Sequence, residues 1–271
     1  MSLRVVHAEG DAAARGRAIG EALSDLIHRS LDFYRGYFEG LGIRDLERSV
    51  LPYWSAAECG LPEQAATVAA IASAAEVPLY ELFAVNACEE LEATPAPVAG
   101  ERCSTFSVVA PGVTLLAHNE QWLAGDAENV ALVVEHPSEG VAIASPTVAS
   151  CLPAVGMNAY RAAQGIDSLT AHDDRVGIPR VLVSRHALEA ESRDDAVRRA
   201  DVAGRTGGYG HVFAFAGGDA LTIETTAEKL AVLDGPGPHT NHYLSPALRS
   251  VGTEASDGSL SRYRRLAERL A

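Results

Sequence analysis

The sequence predicts an α+β fold built on antiparallel sheets, and three features carry that prediction. Apolar residues recur at helical steps through residues 11–93. A break rich in proline and glycine follows at Thr94-Pro95-Ala96-Pro97-Val98-Ala99-Gly100. Beyond it the apolar period falls to two. Strands joined by hairpins, with helices kept apart from them, favour this class over a doubly wound parallel sheet. At 271 residues the chain can bury one large core, and the break is too short for a flexible linker, so residues 1–271 read as a single domain.

The elements follow in order. Ala18, Ala22, Leu23, Leu26, Ile27, Leu31 and Tyr34 lie at three- and four-residue steps and predict a helix over Ala14 to Tyr37. A second helix spans Leu61 to Ala75, with Pro62 in its first turn, and a third follows Pro78 towards Leu91. Strands are expected over Ser104 to Val109 and Val113 to His118 around the turn Ala110-Pro111-Gly112. Further hairpins join Val130 to Glu135 with Val141 to Ser145, and Val148 to Val155 with Arg161 to Leu169. A helix over Pro179 to Glu191 comes next, then one opened by Ser192 with Asp195 as a capping pair. Strands return at His211 to Ala216, Leu221 to Thr225, Lys229 to Leu233 and His239 to Leu244, and a last helix starts near Asp257 or Ser259 and runs to Leu270.

Charge and composition exclude several classes of function. Asp plus Glu outnumber Lys plus Arg by 36 to 22, a formal charge of −14, which disfavours a nucleic-acid partner. No apolar run reaches the length of a membrane span, and Met1 to Glu9 carries no apolar signal core, so a cytoplasmic location is expected. Cys59, Cys88, Cys103 and Cys151 form no Cys-x-x-Cys pair, and the first, second and fourth read as buried small hydrophobes. His239-Thr240-Asn241-His242 would suit a metal on a helix face. The preceding Gly235-Pro236-Gly237-Pro238 bars a helix start, and in a strand the two imidazoles point apart. No further Cys or His cluster completes a site, so neither metal nor cofactor is expected. The glycines of Gly204 to Gly210 follow a helix and precede a strand, the reverse of a phosphate loop.

Cys103 stands apart because it opens a strand directly after an irregular loop. One reading is a buried structural thiol. The other is an N-terminal nucleophile. Cleavage of the Arg102–Cys103 bond would free an α-amine, with a pKa of about 7.7–8.0, beside a thiol of about 8.5, so that the residue carries its own base.

At this point the residues resemble a known family. Arg15-Gly16-Arg17-Ala18-Ile19-Gly20-Glu21, Glu81-Leu82-Phe83-Ala84-Val85-Asn86, Cys103-Ser104-Thr105-Phe106, Ala117-His118-Asn119, Gly156-Met157-Asn158, Gly177-Ile178-Pro179, His239-Thr240-Asn241-His242-Tyr243-Leu244 and Ser259-Leu260-Ser261-Arg262 occur in the order and spacing of one family. In these the chain resembles the acyl-coenzyme A:6-aminopenicillanic acid acyltransferase family of N-terminal-nucleophile (Ntn) cysteine hydrolases, whose relatives include isopenicillin N acyltransferase and β-alanyl amine hydrolases. The resemblance implies an αββα sandwich of two antiparallel sheets between helical layers. It also implies a zymogen that cuts itself autocatalytically between Arg102 and Cys103, into a helical segment 1–102 and a chain 103–271. Cys103 would then be the nucleophile and Asn241 an oxyanion-hole donor, with Asn119, Gln121, His239, His242 and Arg262 as candidates around the substrate. The implied partner is a small acylated amine, a β-lactam or amino-acid-derived amide, with an amine acceptor or an acyl-coenzyme A donor as further candidates.

Two positions depart from the family pattern. Arg102 stands where glycine is common before the nucleophile. Glu120-Gln121-Trp122 stands where an aromatic residue and Asp are common after Asn119, which puts neutral Gln121 at the carboxylate's place and Glu120 on the other face of a strand. These departures motivate two alternatives. One is an uncleaved, non-catalytic member that binds an acylated metabolite or partner protein; the other is an unprocessed cysteine hydrolase with a histidine base.

Overall fold

The computed structural model describes residues 3–92 and 103–270. The expected break at Thr94–Gly100 and the residue Arg102 lie outside the described residues.

Strand β1 (Arg4–Gly10) leads into helix α1 (Ala12–Gly40), followed by α2 (Leu46–Gly60), α3 (Pro62–Ala74), α4 (Leu79–Asn86) and α5 (Cys88–Glu92). The hairpin β2 (Ser104–Ala110) and β3 (Val113–Asn119) comes next. A single 3-10 turn (Ala124–Asn129) then precedes β4 (Val130–Pro137), β5 (Ile143–Val148), β6 (Gly156–Asn158) and β7 (Ala162–Leu169). Helices α6 (Arg180–Ala187) and α7 (Arg193–Ala200) separate these from β8 (Gly208–Phe215), β9 (Asp219–Thr225), β10 (Leu230–Asp234) and β11 (Pro238–His239), and α8 (Asp257–Leu270) closes the order.

The strands form two sheets. One runs β1-β4-β5-β6-β7-β8-β9-β10 and the other β11-β2-β3. The small sheet packs on β7, β8 and β9 of the large one, α6 and α7 contact β8 and β9, and α8 packs on β11 and β2. The order of layers is therefore helix, sheet, sheet, helix, and the α+β class holds. The large sheet is mixed rather than purely antiparallel, because β1 joins its edge parallel to β4. Only Val6 and Ala8 of β1 are buried, and a short, half-polar edge strand gives a weak apolar signal.

Helix α1 is capped by Asp11, whose Oδ1 accepts from Ala14 N–H at 2.8 Å. It buries one stripe, Ile19, Leu23, Ile27, Leu31, Tyr34 and Phe38. Arg15, buried at its start, donates from Nε to Glu135 on β4 at 2.8 Å, and Arg185 on α6 reaches the same carboxylate oxygen at 3.3 Å. One carboxylate thus ties the first helix, the large sheet and α6 together.

The strand expected over Val148 to Val155 does not form and another ends early, each for a side-chain reason. Residues 149–155 turn instead of continuing β5. Asn86 on α4 takes the partner's place there, accepting from Leu152 N–H at 2.8 Å and donating to Ser150 O at 3.0 Å. The strand expected at His239 to Leu244 stops after His239. Glu224 on β9 accepts the N–H groups of Leu244 at 2.6 Å and Ser245 at 2.9 Å, which bends the chain away from the ladder. All four cysteines are free; Cys88 is buried as expected, whereas Cys59 is exposed and Cys151 partly so.

Helices α1 and α3 approach closely at Gly20. A Cβ there would lie 2.6 Å from the Ile71 carbonyl oxygen and 2.8 Å from Ala74 Cβ. Gly20→Ala, which on an open helix would gain about 1 kcal/mol, should here lower stability by about 1–3 kcal/mol through overpacking. Urea unfolding checks this, and a stabilised variant would contradict the packing.

Candidate active site

The β2–β3 hairpin builds the centre of the site. Its register pairs Ser104 with Asn119 and Thr105 with His118, so Cys103 and Glu120 leave the end of the ladder side by side. The Cys103 thiol donates to Glu120 Oε1 at 3.0 Å, and Gln121 N–H points at the sulfur at 3.5 Å. His118 Nε2 lies 3.1 Å from Glu120 Oε2, while its Nδ1 lies 2.8 Å from Thr105 Oγ1. Cys103 is 5% exposed. Burial pushes its thiol well above the ordinary range, and the charges of Glu120 and Asp167 push it further. The intact chain therefore holds a protonated sulfur.

Beside the sulfur is a cavity of about 70 Å³, lined by Cys103, Glu120, Glu89, Ser168, Tyr209 and Cys151 with Trp122 and mainly aliphatic side chains between them. Glu89 on α5 accepts from Ser168 Oγ and from Tyr209 OH, each at 2.9 Å. Burial and the neighbouring Glu89 carboxylate keep the Tyr209 phenol protonated. The turn at 149–155 described above supplies part of the apolar wall.

Arg262 on α8 joins Cys103 to Asn241. Its Nη1 donates to the Cys103 carbonyl and, at 2.7 Å, to Ser104 Oγ. Its Nη2 donates to Asn241 Oδ1 at 3.0 Å. A guanidinium has only donors, so the Asn241 oxygen must face it and the amide NH2 must face the other way. That NH2 donates to the Ser168 carbonyl at 3.1 Å, next to the cavity wall.

The remaining sequence candidates fall elsewhere. His239 is fully buried between carboxylates, with Nδ1 3.2 Å from Asp167 Oδ2 and Nε2 3.1 Å from Glu224 Oε1. Gly210 leaves room for this ring, since a Cβ there would lie 2.1 Å from its Cε1. His242 is half-buried and bonds Ser259 Oγ at 2.8 Å and Thr240 Oγ1 at 3.2 Å. Asn119 is exposed at the end of β3, and Gln121 is exposed with only its backbone turned to the sulfur. Glu120, rather than Gln121, brings the carboxylate to the site. The expectation that Glu120 lies on the far face of a strand fails because β3 ends at Asn119. His118, Asp167, Glu224 and Glu89 were missed as well. Only His118 and Glu120 had a usable signal, since the tight turn at Ala110-Pro111-Gly112 fixes which residues face Cys103 and Thr105.

A helix–sheet–sheet–helix sandwich with a cysteine opening a strand of the inner sheet defines an Ntn-type fold. The chain belongs to the acyl-coenzyme A:6-aminopenicillanic acid acyl-transferase family, whose model matches residues 108–271, more than half of the sequence. Membership points to an enzyme of acyl-transfer or amide chemistry. The match begins after Cys103, so the case for that residue rests on its surroundings. Among curated proteins no match was found. No described helix is long and apolar enough to cross a membrane.

The two carboxylates hold the His239 imidazolium up to about pKa 9 against the opposing effect of its burial. Since the folded value lies above the ordinary 6.5, the stabilisation is complete below about pH 6.5 and is lost as pH rises through about 9. Urea midpoints across that range should fall for the native chain, and the fall should flatten in His239→Gln. Equal slopes in the two proteins would contradict the clamp.

Proposed function

We propose that the protein is a self-processing cysteine amidase or acyltransferase that acts on a small N-acylated amine through a thioester on Cys103. The observation that carries this reading is the position of the Cys103 sulfur. It opens a strand, borders a cavity, touches a carboxylate that can take its proton, and has its own carbonyl held by Arg262. In self-cleavage the sulfur attacks the carbonyl carbon of Arg102 while its proton passes to Glu120. The C–N bond breaks, the proton moves to the new α-amine, and water hydrolyses the resulting thioester.

In turnover the freed α-amine replaces Glu120 as base. It takes the thiol proton as sulfur attacks the substrate carbonyl and returns that proton to the departing amine. Water, or an acceptor amine, then resolves the acyl-enzyme. Once it holds that proton, the positive chain end offsets the Glu120 and Asp167 charges that keep the intact thiol protonated. Asn241 serves as a donor to the developing oxyanion; what supports this is its amide, which Arg262 orients with the NH2 towards Ser168 at the cavity wall.

Intact mass should resolve two fragments that break at Arg102–Cys103, and Cys103→Ala should remain a single species. A native chain that stays whole and gains no acyl adduct supports a non-catalytic binder instead. In the processed enzyme, Asn241→Ala should lower kcat by about 10²–10³ with a smaller change in KM. Steady-state kinetics on an N-acyl amine check this, and an unchanged kcat would remove Asn241 from the oxyanion site.

A further inference from the structure

The same hairpin that positions the nucleophile also brings an imidazole, His118, that the proposed reaction leaves unused, so that a full metal donor set is gathered there. Cys103 Sγ, His118 Nε2 and a Glu120 carboxylate oxygen all lie within 4.8 Å of one another. We propose that these three residues bind a thiophilic divalent cation of the zinc type, and that the bound ion holds the Cys103 sulfur unreactive. The silencing rests on Cys103 being the nucleophile; the binding does not.

The donor chemistry selects the ion. One thiolate, one imidazole and one carboxylate suit zinc, and three protein ligands leave a position for water. Metal–ligand bonds of about 2.0–2.3 Å give a tetrahedral site edges of about 3.3–3.7 Å. The sulfur lies 3.0 Å from Glu120 Oε1 and the imidazole 3.1 Å from Glu120 Oε2, a few tenths of an ångström shorter than such edges, so the side chains need only spread slightly to admit an ion. The fully buried Thr105 hydroxyl meets His118 Nδ1 at 2.8 Å and holds the ring with Nε2 turned to Glu120; when an ion takes Nε2, that hydroxyl can accept from Nδ1–H.

Charge and access agree. A thiolate and a carboxylate together balance a dication, and the thiol proton leaves to solvent as the ion binds. Arg262 reaches the Cys103 carbonyl rather than the sulfur, so no described guanidinium competes for the thiolate. The Glu120 side chain is 39% exposed and gives the ion a way in.

The test is cobalt(II) titration of the purified full chain, with zinc displacement and turnover followed in parallel. One equivalent of cobalt should produce a thiolate-to-metal charge-transfer band that zinc abolishes. The band should be absent in Cys103→Ser, and affinity should fall at least about tenfold in His118→Gln and Glu120→Gln. Zinc should suppress turnover of an N-acyl amine, and a chelator should restore it. A missing band, or one that survives in Cys103→Ser, overturns the site. A normal band with turnover indifferent to zinc overturns the silencing. An inactive protein that shows the band refutes the nucleophile reading while the metal site stands.

Discussion

The pairing of Ser104 with Asn119 across the β2–β3 hairpin is the constraint on which the site depends. A one-residue slip would turn every side chain of one strand to the opposite face. In the observed register the ladder ends so that Cys103 and Glu120 meet, and Thr105 fixes His118 beside them. Sulfur, carboxylate and imidazole then converge at one end of the small sheet, against a cavity whose other walls come from the large sheet and from α5.

A three-stranded sheet needs anchoring to hold such a site still. The His239 imidazolium supplies it, since the ring comes from β11 and its partners Asp167 and Glu224 from β7 and β9. Burying a charge is costly unless it is paired and hydrogen-bonded, and here both ring nitrogens are occupied. Glu224 also captures the backbone of Leu244 and Ser245, so the segment that carries Asn241 is bent by the same carboxylate that clamps the sheets. From the opposite face, Arg262 joins Asn241 to the Cys103 carbonyl. His239 is thus a clamp rather than a substrate contact.

Much of the fold was legible because its signals are local. The stripe from Leu23 to Tyr34, the turn at Ala110-Pro111-Gly112 and the Ser192 cap, which accepts from Asp195 N–H at 3.3 Å, depend only on nearby residues. The errors arose where a distant side chain overrode local preference. Asn86 turns the segment after Val148, and Glu224 ends β11 after His239. Asp167 and Glu224 could not be singled out, because nothing in β7 or β9 marks them except a partner many residues away. The facing of Glu120 is not legible, since a strand's alternation cannot be carried past its last residue, Asn119.

The proposed chemistry turns finally on which atom receives the acyl group. Quenching the protein with acid during turnover of an N-acyl amine, then mapping the adduct by fragmentation mass spectrometry, reads this directly. The account predicts an acid-stable, hydroxylamine-labile acyl mass on the Cys103 sulfur at the start of the fragment 103–271. An adduct on Cys151, which lines the same cavity, or turnover with no thioester at all, would contradict it.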